Sequence, residues 1–283
     1  MITLKIPFFD PHKIALSGQA FRFNIIDDTR VEVVAYGHYL QVACVGEDDF
    51  AFSCSEKEFN DIWKDYFDLD RDYVSVFHSI DEDDEYLKDA AAFGYGIRIL
   101  KQEPFETLIS YIISQRRSIP AITTSVERIC EKYGKKIVPP RLKEPFTDPL
   151  KKSYYAFPTS SQLSGASLQD ISDMGVGYRD RYIVEAVTDV ESGKIDMDSL
   201  RKKSDDELFL VLTSMFGVGT KVANCVMLFG FNRTGRFPVD VWIRRILDKY
   251  YGGSFDTTLY PGTAGIMQQF MFFYERITSK ADK

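Results

Sequence analysis

The chain changes its hydrophobic period near residue 85, and that change bounds the fold. Upstream, "RVEVVAYGHYLQVACV" (Arg30–Val45) alternates around a Tyr-Gly-His turn, the period-two pattern of strands. "DDTR" (Asp27–Arg30) reads as a preceding hairpin connection. "SEKEFNDIWKDYFDLD" then has helical spacing, with Phe59, Ile62, Trp63 and Phe67 on one face and Ser55 opening it as a capping box. Downstream of the acidic run "DEDDE" (Asp81–Glu85) the spacing is helical. These patterns predict an α+β chain. A small antiparallel β-rich domain over residues 1–85 precedes a mostly α-helical region over 86–283, made of two helical subdomains.

The punctuation inside the helical region is specific. Pro104 and Pro120 stand near the starts of two helices, and Gly134 is placed as the C-cap of the second. Pro139, Pro140, Pro145, Pro149 and Pro158 make the stretch Lys135–Pro158 a loop crossing the surface. Ser204 is an N-cap with acidic residues in the first turn behind it, and that helix ends near Gly217. Further helices are expected from about Lys221 to Phe231, from Asp240 to Tyr250, and from about Ala264 to Ile277.

Composition removes several function classes. Content of 45% hydrophobic and 27% charged residues is that of an ordinary globular protein. No stretch approaches ~20 consecutive apolar residues, so no membrane-spanning helix is expected. The N-terminal "MITLKIPFFDPHK" has no signal-peptide pattern, and the four cysteines (Cys44, Cys54, Cys130, Cys225) form no C-x-x-C pair. A reduced, cytoplasmic setting is expected, nucleoid-associated in a bacterium, with no metal site, no cofactor and no membrane partner. The three histidines (His12, His38, His78) all lie early, which excludes His-based catalysis from the C-terminal half.

The net charge of −7 argues at first against nucleic acid. Between Thr213 and Tyr251, however, six cations (Lys221, Arg233, Arg236, Arg244, Arg245, Lys249) face two carboxylates, Asp240 and Asp248. Such a local basic face binds phosphates on an acidic protein, because contacts act within about a Debye length of ~8–10 Å.

Within that face, "MFGVGTKVANC" (Met215–Cys225) joins two helices through Gly217 and Gly219, both expected to permit positive φ. The free N–H groups opening the second helix form an anion site suited to phosphate. Lys221 sits at this helix end, where the backbone dipole disfavours an ammonium. A solvated surface lysine would be the ordinary reading; a nucleophilic amine, which must be neutral to attack, is the sharper one. Asp240 in "RFPVDVWIRR" is placed as an N-cap and supplies a carboxylate to the same face.

Seven blocks in order resemble the 8-oxoguanine DNA glycosylase family. They are "SGQAFRF", "YFDLD", "GIRILKQEPFETLISYIISQ", "YAFPT", "MGVGYRDRY", "LTSMFGVGTKVANC…FPVDVW" and "AGIMQQFMF", and together they span nearly the whole chain. The sixth resembles the helix-hairpin-helix motif and Pro/Asp loop of the DNA glycosylase superfamily, here at about residues 204–231. The resemblance implies a bifunctional repair enzyme that excises 8-oxoguanine from duplex DNA through a lysine Schiff base and nicks the strand by β-elimination. It implies a nucleophilic Lys221 and an Asp240 that stabilises charge developing on the sugar. Gly18 is implied to offer its carbonyl to the ring N–H that oxidised guanine has and guanine lacks. Gln268 is implied to bond the pairing edge of the base, with Phe272 and Cys225 on the two ring faces. Tyr178 is implied to wedge into the gap left by the flipped base, and Arg179 to bond the orphaned cytosine.

The chain departs from the family pattern in three places. "QRRS" (Gln115–Ser118) stands where a run of asparagines is familiar, with Arg116 in the slot that fills the void. Ala121 replaces a second cytosine-reading arginine, and Trp242 replaces a phosphate-binding histidine. Arg116 or Arg117 is expected to substitute, since a guanidinium stacks and donates two bonds to a base. Gly217, Gly219 and Trp242 complete the expected DNA contacts, and the expected partner is double-stranded DNA carrying an oxidised purine, bound by a monomer. A glycosylase for alkylated purines is the nearest alternative enzyme, but it leaves Lys221 and Gly18 without purpose. A non-catalytic helix-hairpin-helix DNA-binding module makes the Lys221/Asp240 pairing a coincidence.

Overall fold

The computed structural model describes residues 1–281. Five antiparallel strands, β1 (Ile2–Lys5), β2 (Phe23–Asp27), β3 (Arg30–Ala35), β4 (His38–Cys44) and β5 (Asp49–Phe52), form one sheet in the order β1-β5-β4-β3-β2. The β3–β4 turn is the expected one: Tyr36 and Gly37 both have positive φ, 53° and 73°, as a tight hairpin twisted like its strands requires. The β2–β3 connection is locked by Asp27, whose Oδ1 accepts from Thr29 N and Oγ at 3.0 Å each.

One face of the sheet holds a compact apolar core of Phe9, Phe23, Leu40, Val42, Phe52, Phe59, Trp63 and Phe67. The helix expected from Ser55 is present, with a wider turn over Phe59–Trp63. Its expected capping box is only half formed. Ser55 Oγ accepts from Glu58 N at 3.1 Å, but Glu58 Oε1 accepts the Trp63 indole N–H at 3.0 Å and does not reach back.

The opposite face of the sheet is covered as well. Glu32 and Gln41, cross-strand partners in β3 and β4, are polar residues of the alternating strands, and both are buried. The proline-rich stretch covers them. It pairs as two short strands, β6 (Lys136–Ile137) and β7 (Tyr154–Tyr155), and lies against the sheet. Tyr154 Oη donates to Glu32 Oε1 at 2.6 Å, and Gln41 exchanges two hydrogen bonds with the Thr147 backbone. Gly134 does follow the helix, but with an extended backbone; a side chain there would strike the Ala156 carbonyl.

Helix α1 (Pro11–Leu16) packs on β2 and β3 within the sheet domain, and α2 (Glu85–Phe93) opens the helical region. Beyond them come α3 (Pro104–Ser114), α4 (Ile119–Tyr133), α5 (Asp180–Glu191), α6 (Asp205–Ser214), α7 (Thr220–Gly230), α8 (Val241–Tyr250) and α9 (Ala264–Ala281). The acidic run is tied down at its end, where Asp84 caps α2 through Leu87 N and accepts the Tyr251 hydroxyl from the end of α8. One large apolar cluster fills the space between helices, with α7 packed on α3, and α9 on α2 and α8. Pro104 and Pro120 stand in the first turns of α3 and α4, where a missing N–H costs nothing. Buried Arg22 binds sheet to helices: its Nε donates to Glu127 Oε1 at 2.9 Å and its guanidinium to the Tyr155 carbonyl. Burial pushes the neighbouring Glu106 carboxyl up to about 7, against the opposing pull of Arg22. No described helix is long and apolar enough to cross a membrane.

Candidate functional site

Helices α6 and α7 are joined as the sequence expects, and the local causes are visible. Ser204 and Glu207 form a full capping box at the start of α6. The helix stops at Ser214, with Met215 extended, so Gly217 lies inside the turn and does not cap the helix. Gly217 has φ +81° and lies under the Tyr182 ring, which a Cβ would meet at 2.2 Å. No other residue fits there. Gly219, by contrast, is not left-handed: it is the N-cap of α7 with φ −90° and ψ 177°, in open space. Its value is the unobstructed approach to the free N–H groups behind it.

Lys221 is therefore in the first turn of α7, half-buried. Its Nζ donates to Ser114 Oγ at 3.2 Å and lies 5.1 Å from the centre of the Tyr111 ring. One turn on, Cys225 is buried beside the amine; burial pushes its thiol up to about 11, so it stays protonated at neutral pH. Asp240 caps α8, its Oδ1 accepting from Trp242 N and Ile243 N at 2.9 Å each. Oδ2 makes no hydrogen bond among the described residues, and no ion pair joins it to Lys221. The rigid cap thus leaves one carboxylate oxygen free.

The residues expected around the base come together from three distant parts of the chain. Gly18 has φ +77°, and a Cβ there would meet Phe272 Cε1 at 3.3 Å and Ile119 Cδ1 at 2.9 Å. The turn around Gly18 is held by Gln269 Nε2, which donates to the Ser17 carbonyl at 2.8 Å. Tyr111 links it to the amine, since its hydroxyl donates to the Gln19 carbonyl at 3.3 Å while its ring lies below Lys221. Gln268 donates through Nε2 to the Pro238 carbonyl at 3.2 Å, tying α9 to the Asp240 loop, while its Oε1 is buried with no partner. An acceptor left unpaired in a dry site costs roughly 1–3 kcal/mol, so it marks a place where a donor belongs. Behind Phe272 the buried Arg276 guanidinium lies 5.7 Å from the ring centre.

A second Gly-Val-Gly hairpin precedes α5. Tyr178 is exposed, with Arg179 stacked 4.3 Å from its ring centre. Arg179 itself is buried and turned inward: it donates to the Val176 carbonyl at 2.9 Å and to the Gln115 carbonyl. Arg116 is exposed with φ +52°, whereas Arg117 is occupied, donating to the Gly175 carbonyl at 2.6 Å and to Ser125 and Ala121. Only Arg116 of the two is free to reach another molecule. Trp242 lies in the first turn of α8 with the Arg245 guanidinium 5.4 Å from its ring centre.

Comparison with known proteins gives this arrangement a family. Residues 109–259 match the model of the HhH-GPD superfamily base excision DNA repair proteins, and residues 1–108 the N-terminal domain of 8-oxoguanine DNA glycosylase. The chain belongs to the HhH-GPD superfamily. It is 34% identical to MBOgg1, solved with a low-affinity DNA ligand, over 98% of this chain and 96% of that one, with a TM-score of 0.89. The Clostridium acetobutylicum 8-oxoguanine glycosylase/lyase, solved with double-stranded DNA containing cytosine opposite 8-oxoG, is 31% identical over 96% and 93% of the two chains, with a TM-score of 0.87. The Saccharomyces cerevisiae N-glycosylase/DNA lyase is 35% identical over 66% of this chain, which spans 50% of that relative's length.

Within this HhH-GPD chain, several site-building residues escaped the sequence reading. Ser114, Tyr111, Gln115, Gln269 and Tyr182 all lie inside blocks that carry the resemblance, but nothing in their spacing marks a role. Gln115 shows why: its Nε2 donates to the Gly217 carbonyl at 3.1 Å while its own carbonyl accepts from Arg179. It clasps two hairpins about 40 residues apart, a relation visible only in three dimensions.

Proposed function

We propose that the chain is a bifunctional DNA glycosylase that removes 8-oxoguanine from duplex DNA and nicks the strand at the resulting site. The observation that carries this reading is the placement of Lys221. A half-buried amine at a helix N-terminus stands beside a buried thiol, and Tyr111 bridges it to the Gly18 turn.

In this reading the two hairpins hold the duplex backbone by their N–H groups, and Tyr178 enters the stack as the damaged nucleotide swings out, a displacement worth a few kcal/mol. Phe272 and Cys225 receive the ring, and Gln268 Oε1 gains the donor it lacks. The Gly18 carbonyl accepts from the N7–H of 8-oxoguanine; guanine has a lone pair there, which would face the carbonyl unpaired. Lys221 Nζ then bonds to C1′ as the C1′–N9 bond breaks, its electron pair leaving with the base, which takes a proton. Asp240 Oδ2 stabilises the positive charge developing on the sugar. The amine–sugar adduct opens to a Schiff base, loss of a C2′ proton expels the 3′ phosphate, and hydrolysis returns the lysine. Arg116 takes the place beside the orphaned base, so readout of that base is relaxed. The protein acts as a monomer in the cytoplasm.

Incubation with an 8-oxoguanine duplex and borohydride tests this directly. A cross-linked protein–DNA band is expected from wild type and not from Lys221→Gln. Release of alkylated purine with no trapped band would replace the reading with that of a monofunctional enzyme, and binding without base release would reduce it to a DNA-binding module. Cleavage compared with cytosine, adenine, guanine and thymine opposite the lesion tests the Arg116 part; a large cytosine preference would defeat it.

A further inference from the structure

We propose that Ser114 is the positioning residue that aims the Lys221 amine, an inference that rests on the glycosylase/lyase reading above. Ser114 is the last residue of α3. Its hydroxyl donates to the Tyr111 carbonyl at 2.8 Å, so its single proton is committed. Toward Lys221 Nζ, 3.2 Å away, it presents only lone pairs. It can take an N–H from the amine and cannot give one.

Among the described residues Ser114 Oγ is the one oxygen that accepts from the nitrogen. The buried Cys225 thiol also lies within hydrogen-bonding reach of the amine, but its sulfur is a weak acceptor. Tyr111 offers a ring face, which attracts a cation without selecting any one N–H. Asp240 spends Oδ1 on the amides of α8 and makes no ion pair with Lys221 among the described residues. A neutral amine carries two N–H bonds and one lone pair in a tetrahedral arrangement. Anchoring one N–H on Ser114 Oγ stops rotation about Cε–Nζ and leaves the lone pair two tetrahedral positions, a restriction that favours attack on a fixed carbon. The placement has a second consequence. Gln115, the next residue, joins both hairpins, so the element that spaces the DNA-binding turns also sets the direction of attack.

Single-turnover base release from an 8-oxoguanine duplex, followed by borohydride trapping, tests this in wild type, Ser114→Ala and Ser114→Thr. Wild type is expected to trap. The alanine variant is expected to keep the wild-type Kd for the duplex and melting midpoint, yet to react about a hundredfold more slowly at saturation, the cost of a misaimed nucleophile. The threonine variant, which retains the hydroxyl, is expected to recover most of the rate. An alanine variant as fast as wild type, or a threonine variant as slow as alanine with an unchanged melting midpoint, would overturn the proposal. If wild type itself forms no trapped product, the glycosylase/lyase reading falls and the proposal with it.

Discussion

The molecule contains the same short sequence twice, and folds it in two ways. "MGVG" (Met174–Gly177) and "MFGVG" (Met215–Gly219) each bury the methionine and the valine, and each precedes a helix. In the first, Gly175 and Gly177 are both left-handed, at φ +76° and +63°, and a tight 3-10 turn over Gly177–Arg179 delays the start of α5. In the second only Gly217 is left-handed, and α7 starts directly after the extended Gly219. The first hairpin thus pushes an aromatic ring, Tyr178, out of the surface and leaves Arg179 folded inward. The second presents a bare helix N-terminus with Lys221 in its first turn. One extra left-handed residue separates a protruding aromatic ring from an open helix N-terminus. Tyr182 connects the two: its ring lies on Gly217, edge-to-face with both Phe216 and Tyr178 at 5.0 and 5.9 Å between ring centres.

If the second hairpin carries the chemistry and the first only the distortion of DNA, Lys221→Gln should lower base release at least about a thousandfold while duplex affinity persists. Single-turnover assays beside a binding titration check this; residual release within tenfold of wild type would erase the distinction.

The next largest contrast lies inside the second hairpin. Gly217→Ala puts a methyl into the Tyr182 ring at a positive φ and should cost more than about 2 kcal/mol, whereas Gly219→Ala, extended and open, should stay within about 0.5 kcal/mol. Melting curves of the two variants measure this, and equal shifts would show that the two glycines are not doing different things.

Tyr178→Ala should slow release about tenfold from a paired lesion and hardly at all from the same lesion in an unpaired bubble, because unstacking has already been done there. Equal losses on both substrates would assign Tyr178 to the chemistry and undo the comparison. The smallest effect belongs to the clasp. Gln115→Leu removes one hydrogen bond between the hairpins, worth about 1 kcal/mol or roughly fivefold in lesion processing. Affinity for undamaged duplex serves as the control, and a matching fall in that affinity would mean that Gln115 supports binding in general.

Much of this was legible in order along the chain. The strand pattern around Tyr36–Gly37, the capped starts of α6 and α8, and the prolines opening α3 and α4 are local matters of period and backbone chemistry, and they appear where the residues predict them. Lys221 was legible too, as a cation at a helix end that disfavours it. The Gly219 conformation was not, because the same Gly-Val-Gly accommodates either geometry and the surrounding helices select one. Burial of Glu32 and Gln41 was not either, since alternation reports which face a residue takes and not what covers that face.

By itself the sequence determined the two kinds of secondary structure, their order, the hairpin between α6 and α7, and the two residues whose chemistry stands out, because each follows from interactions within a few residues. Only the tertiary structure decided that Ser114 meets Lys221, that Gln115 spans both hairpins, and that Gly18 lies against Phe272 more than 250 positions away. Those contacts are set by helix packing, in which the direction of a side chain depends on neighbours the chain supplies from far off.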